Sequence, residues 1–170
     1  MIRYIGAGFI IAGCTLFGCS GTERARQHSR SLRSLIGLLE QMDGQLEGLL
    51  MPLPQLMAQL SSQAEQPAAE FCGNVVWLTE KRGAGFRSAW ERALEDTESL
   101  CLLEEEKTAL KALGGVLGRC ELETQLQTLR RSKKRLELFL ELEEKERAQK
   151  SKLRAALGAG AGITLAILLL

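Results

Sequence analysis

Apolar residues recur at helical spacing along nearly the whole chain. Between about residues 23 and 50, Leu32, Leu35, Ile36, Leu39, Met42, Leu46 and Leu49 fall at steps of three and four, with Arg, Glu and Gln between them. That pattern predicts an amphipathic helix. Pro52 and Pro54 end it and open a shorter helix near 55–62, since proline suits a first turn and not a helix interior. Beyond Gln66-Pro67 a third segment sets Ala69, Cys72, Val75, Val76 and Thr79 on one face, and Gly83-Ala-Gly85 breaks the chain. A fourth helix, 86–98, carries Phe86, Trp90, Ala93 and Leu94 on one side. A fifth, 102–117, uses Leu103, Leu110, Leu113 and Leu117 and stops at Gly118. No stretch alternates apolar and polar positions with β-branched enrichment, so strands are not expected.

The last fifty residues read as one long helix. From 121 to 152 there is no Gly or Pro, and strong helix formers predict a rod of about 50 Å. Its apolar stripe, Leu122, Leu126, Leu129, Leu136 and Leu140, has Lys133 as its one polar step, the spacing of antiparallel helix packing or a coiled-coil seam. After Leu142 the stripe ends, and 143–152 are polar on every face. The core is therefore expected over the first half, with a solvated stalk beyond it. The expected core anchors are Leu39, Trp90, Leu113, Leu117, Leu126, Leu129 and Leu136.

Both ends are apolar. Residues 155–170 carry no charge, and a run of about 16 uncharged residues begins at Tyr4; each is at the short end of a membrane-spanning length. Basic residues stand on the inner side of each run: Arg24, Arg26, Arg30 and Arg33 after the first, and Lys150, Lys152 and Arg154 before the second. Because positive residues mark the cytoplasmic side, the region between the runs is expected to face the cytoplasm. The expected organisation is an N-terminal transmembrane helix (1–20), a cytoplasmic all-helical domain with a juxtamembrane stalk (21–154) and a C-terminal transmembrane helix (155–170). The fold class is thus all-α, a six-helix bundle flanked by two anchors in a multi-pass membrane protein. A second reading treats Ile11-Ala-Gly-Cys14 as a lipobox, giving an extracytoplasmic helical interaction module acylated at Cys14. A 13-residue signal is very short, and the arginines after it oppose export.

Composition removes most chemistry. With a formal net charge of +1, no overall field recruits nucleic acid. Cys72, Cys101 and Cys120 are widely spaced with no CxxC pair and no His nearby, so core packing is expected over zinc binding or nucleophilic catalysis. His28, the only histidine, lies between Arg26 and Arg30 and reads as a juxtamembrane polar residue. Glu137, Glu141 and Glu144 share a helix face; without the Glu-x-x-His partners of bundle metal sites, they read as a solvated face with Lys133, Lys134, Lys145 and Arg147 as partners. Glu104-Glu-Glu106 suits a helix N-terminus. Trp77 and Trp90 read as core or interface anchors. There is no phosphate-binding loop. No catalytic, cofactor or metal site and no small-molecule substrate is expected.

Gly85-Phe-Arg-Ser-Ala-Trp-Glu-Arg-Ala-Leu94, Leu113-Gly-Gly-Val-Leu-Gly118 followed by Gln125, and Lys152-Leu-Arg-Ala-Ala-Leu-Gly158 leading into the apolar end resemble the stage III sporulation protein AB family, in order and over essentially the whole chain. Where that family has a small polar residue and often an acid after Leu-Gly, this chain has Arg119-Cys120-Glu121. The resemblance implies a membrane protein of endospore-forming bacteria, in the mother-cell membrane around the forespore. It also implies a soluble domain similar to the cytoplasmic domain of type II secretion platform proteins. The implied role is a non-enzymatic platform in a channel between mother cell and forespore. Its expected partners are membrane lipid, a secretion-type ATPase, other membrane subunits and a further copy of itself.

Overall fold

A computed structural model describes the backbone of residues 2–49 and 51–169 and the side chains of residues 23–48 and 51–150. The chain is all-helical: α1 (Ile2–Leu49), α2 (Leu53–Gln63), α3 (Ala68–Arg82), α4 (Phe86–Asp96), α5 (Glu104–Val116) and α6 (Leu122–Leu169). The first apolar run and the amphipathic segment after it are one helix, since no proline interrupts residues 2–49. The expected anchors, 1–20 and 155–170, lie outside the residues whose side chains are described. Among the described residues no helix is long and apolar enough to cross a membrane.

Each of the helices α2 to α6 packs on its neighbour in sequence, and α6 closes the set by lying along α1. Ion pairs give the direction of that closure: Arg33 meets Glu144 at 2.6 Å, Glu40 meets Lys133 at 3.3 Å, and Arg130 meets Asp43 at 3.0 Å and Glu47 at 3.2 Å. Residue numbers rise along α1 as their partners fall along α6, so the two helices are antiparallel. Hydrogen bonding to Asp43, followed by its charge, holds Arg130 above the ordinary guanidinium range.

One apolar cluster runs through every helix. It takes Leu32, Leu35, Leu38, Leu39, Met42 and Leu46 from α1, Leu56, Met57 and Leu60 from α2, and Phe71, Cys72, Val75 and Leu78 from α3. Trp90, Ala93 and Leu94 of α4, Leu110 and Leu113 of α5, Leu117, and Leu126, Leu129 and Leu136 of α6 join it, with Ala68, Ala89 and Leu100. Two expected stripe members stand out in solvent: Leu103 is 61% exposed and Leu122 is 38% exposed. Leu103 immediately precedes α5 and Leu122 opens α6. Trp77 is 49% exposed, with the Arg82 guanidinium 4.7 Å from its ring centre.

Glycine is required at the α3–α4 turn, where Gly83 takes φ +62° and the Ala84 N–H donates to the Leu78 carbonyl at 3.2 Å, a left-handed helix C-cap. The same need recurs after α5 at Gly118, φ +73°. There Gln125 bridges the turn, accepting from the Gly118 N–H at 3.0 Å and donating to the Cys120 carbonyl at 2.7 Å. A side chain from inside α6 thereby ties the α5–α6 turn to the start of the helix that follows it.

Candidate functional site

The stalk expected at 143–152 is engaged with α1 along its first turn. Ser29, on α1, donates to Glu143 Oε2 at 2.9 Å, and Arg147 donates to Ser29 Oγ at 3.0 Å and reaches Glu143 at 3.4 Å. Polar residues on every face gave no sign of this, because the contact is a hydrogen-bond network and leaves no apolar stripe to read.

His28 sits at its centre and ties three helices. Its Nε2 lies 2.9 Å from both carboxylate oxygens of Glu106, on α5, and its Nδ1 lies 3.0 Å from Glu143, on α6. Glu106 is 1% exposed and also accepts the Leu103 N–H at 2.8 Å, capping α5. A buried carboxylate needs such partners, since leaving one unpaired costs several kcal/mol. The two carboxylates approach the imidazole from opposite ring nitrogens and share no common point for an ion. Among the described residues no group of three His, Cys, Asp or Glu side chains is arranged to hold a metal.

The remaining acidic face of α6 is solvated and paired: Glu137 with Lys133 at 4.0 Å and Glu141 with Lys145 at 2.7 Å. Hydrogen bonding from Lys145 holds the Glu141 carboxyl below its ordinary range. Between α4 and α5, Lys111 binds Glu95 at 2.8 Å and likewise lowers its carboxyl.

The thiols differ in setting. Cys72 is in the core, where burial pushes its pKa up to about 12, whereas Cys101 is half-buried and Cys120 exposed. Core packing therefore describes Cys72 and fails for Cys120, which lies in the α5–α6 turn. In the folded chain near pH 8, peptide mapping after brief alkylation is expected to find Cys120 modified well before Cys72, because only a thiolate reacts; equal labelling would contradict this environment.

The stretches 85–94 and 113–118 come together. Trp90 is buried, donates its indole N–H to the Leu110 carbonyl at 2.8 Å and meets the edge of Phe71 at 4.8 Å between ring centres. Gly114 lies against it: a Cβ there would come within 2.3 Å of the indole. Beside this contact Gly85, Phe86, Arg87, Ser88, Glu91, Leu117, Gly118 and Arg119 line an open groove of about 560 Å³. The groove is half polar, with Arg87 paired to Glu91 at 2.8 Å.

Leu39, Trp90, Leu113, Leu117, Leu126, Leu129 and Leu136 are all buried. Arg24, Arg26, Arg30, Arg33 and Lys150 are exposed, with Arg33 bound to Glu144 and Lys150 to Glu146. Lys152 and Arg154 lie outside the residues whose side chains are described.

The fold has a solved counterpart: a structure of Stage III sporulation protein AB superposes with a TM-score of 0.65 at 22% identity, covering 72% of this chain and 98% of that one. Stage III sporulation protein AB of Bacillus subtilis (strain 168) is 25% identical over 138 residues, 81% of this chain and 81% of the relative. The model of the family described as Stage III sporulation protein AB matches residues 3–170. A match that takes in the α1–α6 pair, the packed motif at Trp90 and Gly114 and both apolar ends makes the chain a member of the stage III sporulation protein AB family.

Proposed function

We propose that this protein is a non-enzymatic membrane platform of the sporulation channel between mother cell and forespore. Residues 1–20 and 155–170 anchor it, and the helical domain of residues 21–154 docks a secretion-type ATPase and neighbouring membrane subunits on the cytoplasmic side. The observation that carries this reading is the antiparallel α1–α6 pair. Because Arg33, Glu40, Asp43 and Glu47 meet partners of falling number along α6, the apolar N-terminal run and the apolar C-terminal run leave the bundle at the same end. Two short anchors at one end suit a bundle standing on one membrane. The glycines and alanines of 158–162 suit close packing of that anchor on another helix.

The groove beside Phe86 and Arg119 and the exposed Trp77 are the surfaces offered to partners, aromatic and arginine side chains being frequent interface anchors. Secretion-type ATPase, channel and membrane subunits are what the family resemblance implies for them.

A reporter that is active only in the cytoplasm is expected to be silent when fused after Leu170 and active when inserted at the 83–85 turn. Activity after Leu170 would overturn the topology. In sporulating cells, crosslinking from a cysteine at Arg87 or Arg119 is expected to capture the ATPase; recovery of no ATPase from either position would sink the docking claim.

A further inference from the structure

Among the residues whose side chains are described, the bases toward the apolar ends fall into two sets by how they are neutralised. On α6, Lys145, Arg147 and Lys150 each pair with the glutamate one turn earlier: Glu141 at 2.7 Å, Glu143 at 3.4 Å and Glu146 at 3.0 Å. On α1, Arg33 has Glu144 at 2.6 Å. Arg24, Arg26 and Arg30 are exposed and make no ion pair among the described residues. The stretches 1–22 and 151–170 contain no Asp or Glu, so every carboxylate side chain is accounted for.

Helix polarity explains the difference. Side chains lean toward the N-terminus of their own helix. For α1 that is the direction of its apolar run, so its arginines lean toward it. For α6 the apolar run is at the other end, so Lys145, Arg147 and Lys150 lean away from it and fall back on the preceding glutamates. Arg24 and Arg26 follow Cys19 by roughly 7 and 10 Å of helix rise, and Arg30 by roughly 16 Å. The first two lie within about one Debye length of a surface at the end of that run.

We propose that Arg24, Arg26 and Arg30 form a binding edge for the headgroups of anionic phospholipids, a role Lys145, Arg147 and Lys150 do not share. It rests on the membrane-anchored reading above. The occupant follows from charge: three unneutralised guanidiniums lean toward the apolar run, where phospholipid phosphates lie, and each base near such a surface contributes a factor of about five.

The test uses the full chain in nanodiscs of equal phosphatidylglycerol and phosphatidylcholine, with the lipids retained on the released protein counted by native mass spectrometry. The native chain is expected to retain phosphatidylglycerol in excess. The triple variant Arg24→Gln, Arg26→Gln, Arg30→Gln is expected to lose that excess by a factor on the order of ten or more. Lys145→Gln and Lys150→Gln together, each removing only an exposed pair with the preceding glutamate, are expected to leave it within about twofold. Soluble glycerophosphoglycerol is expected not to displace the retained lipid; displacement would point to a free-phosphate site and overturn the lipid assignment. Equal retention of the two lipids, or the same loss from the α6 set, would also overturn it. A chain that stays out of the bilayer overturns the anchored reading with it, whereas an inserted chain without lipid preference overturns the headgroup edge alone.

Discussion

Replacing His28 with leucine is expected to destabilise the fold by about 3 kcal/mol, because it leaves the buried Glu106 carboxyl short of its hydrogen-bond partner. For a domain of this size that lowers the thermal midpoint by roughly 6–12 °C, read by circular dichroism of the full chain in mild detergent. The group left behind is the Glu106 carboxyl, 1% exposed and held by the imidazole at 2.9 Å. It keeps only the Leu103 N–H at 2.8 Å. Glu143 suffers less, since Ser29 and Arg147 remain. The double variant His28→Leu, Glu106→Leu is expected to recover part of the loss, because it removes the orphaned carboxyl with its partner while giving up the cap on the Leu103 N–H. If the double variant is as unstable as the sum of two damaging single changes, the pair is not the reason His28 matters.

Gly114→Ala is expected to cost about 2 kcal/mol net. Overpacking a dense core costs typically 1–3 kcal/mol and occasionally more, and alanine returns up to about 1 kcal/mol of helix propensity. The clash falls at the severe end because the neighbour cannot yield: the new Cβ would stand 2.3 Å from an indole that is fully buried, hydrogen-bonded to Leu110 and wedged on Phe71. Gly115 supplies the control. A Cβ there meets nothing nearer than 3.9 Å, in the flexible Arg87 side chain, so Gly115→Ala is expected to stabilise by roughly 0.5–1 kcal/mol. Equal effects at the two glycines in chemical denaturation would contradict this packing.

Much of the architecture was visible in the spacing of leucines, because an amphipathic helix writes its buried face at steps of three and four. The breaks at Pro52, Gly83 and Gly118 were visible for equally local reasons. Helix ends were less legible: Leu103 and Leu122 have the right chemistry and register, yet stand exposed at the starts of α5 and α6. Phe71 and Leu78 were missed because the buried face of α3 is wider than the stripe drawn through its smaller residues.

The polar junction was the least legible part. Glu106 reads as a cap, and it is one, but nothing local says that its other oxygen contacts belong to a residue on α1. Ser29 and Glu143 look like ordinary surface positions until the antiparallel register brings them together. A signal was present in the uniqueness of His28, since a lone histidine between arginines invites the question of which carboxylates accompany it. The answer needed the three-helix geometry.

The closure of α6 on α1 also has a consequence in time. The contacts that hold it join residues more than eighty positions apart, such as Glu47 with Arg130 and Ser29 with Glu143, and closing a loop of roughly a hundred residues costs about 4 kcal/mol of chain entropy beyond a constant. During synthesis at about 5–20 residues per second, α1 is complete several seconds before the first turn of α6 exists. Through that interval the acids of α1 that later meet Arg130 and Lys133 wait without them. α6 is therefore the helix that locks α1 in place, and truncation before Arg147 removes contacts that α1 needs.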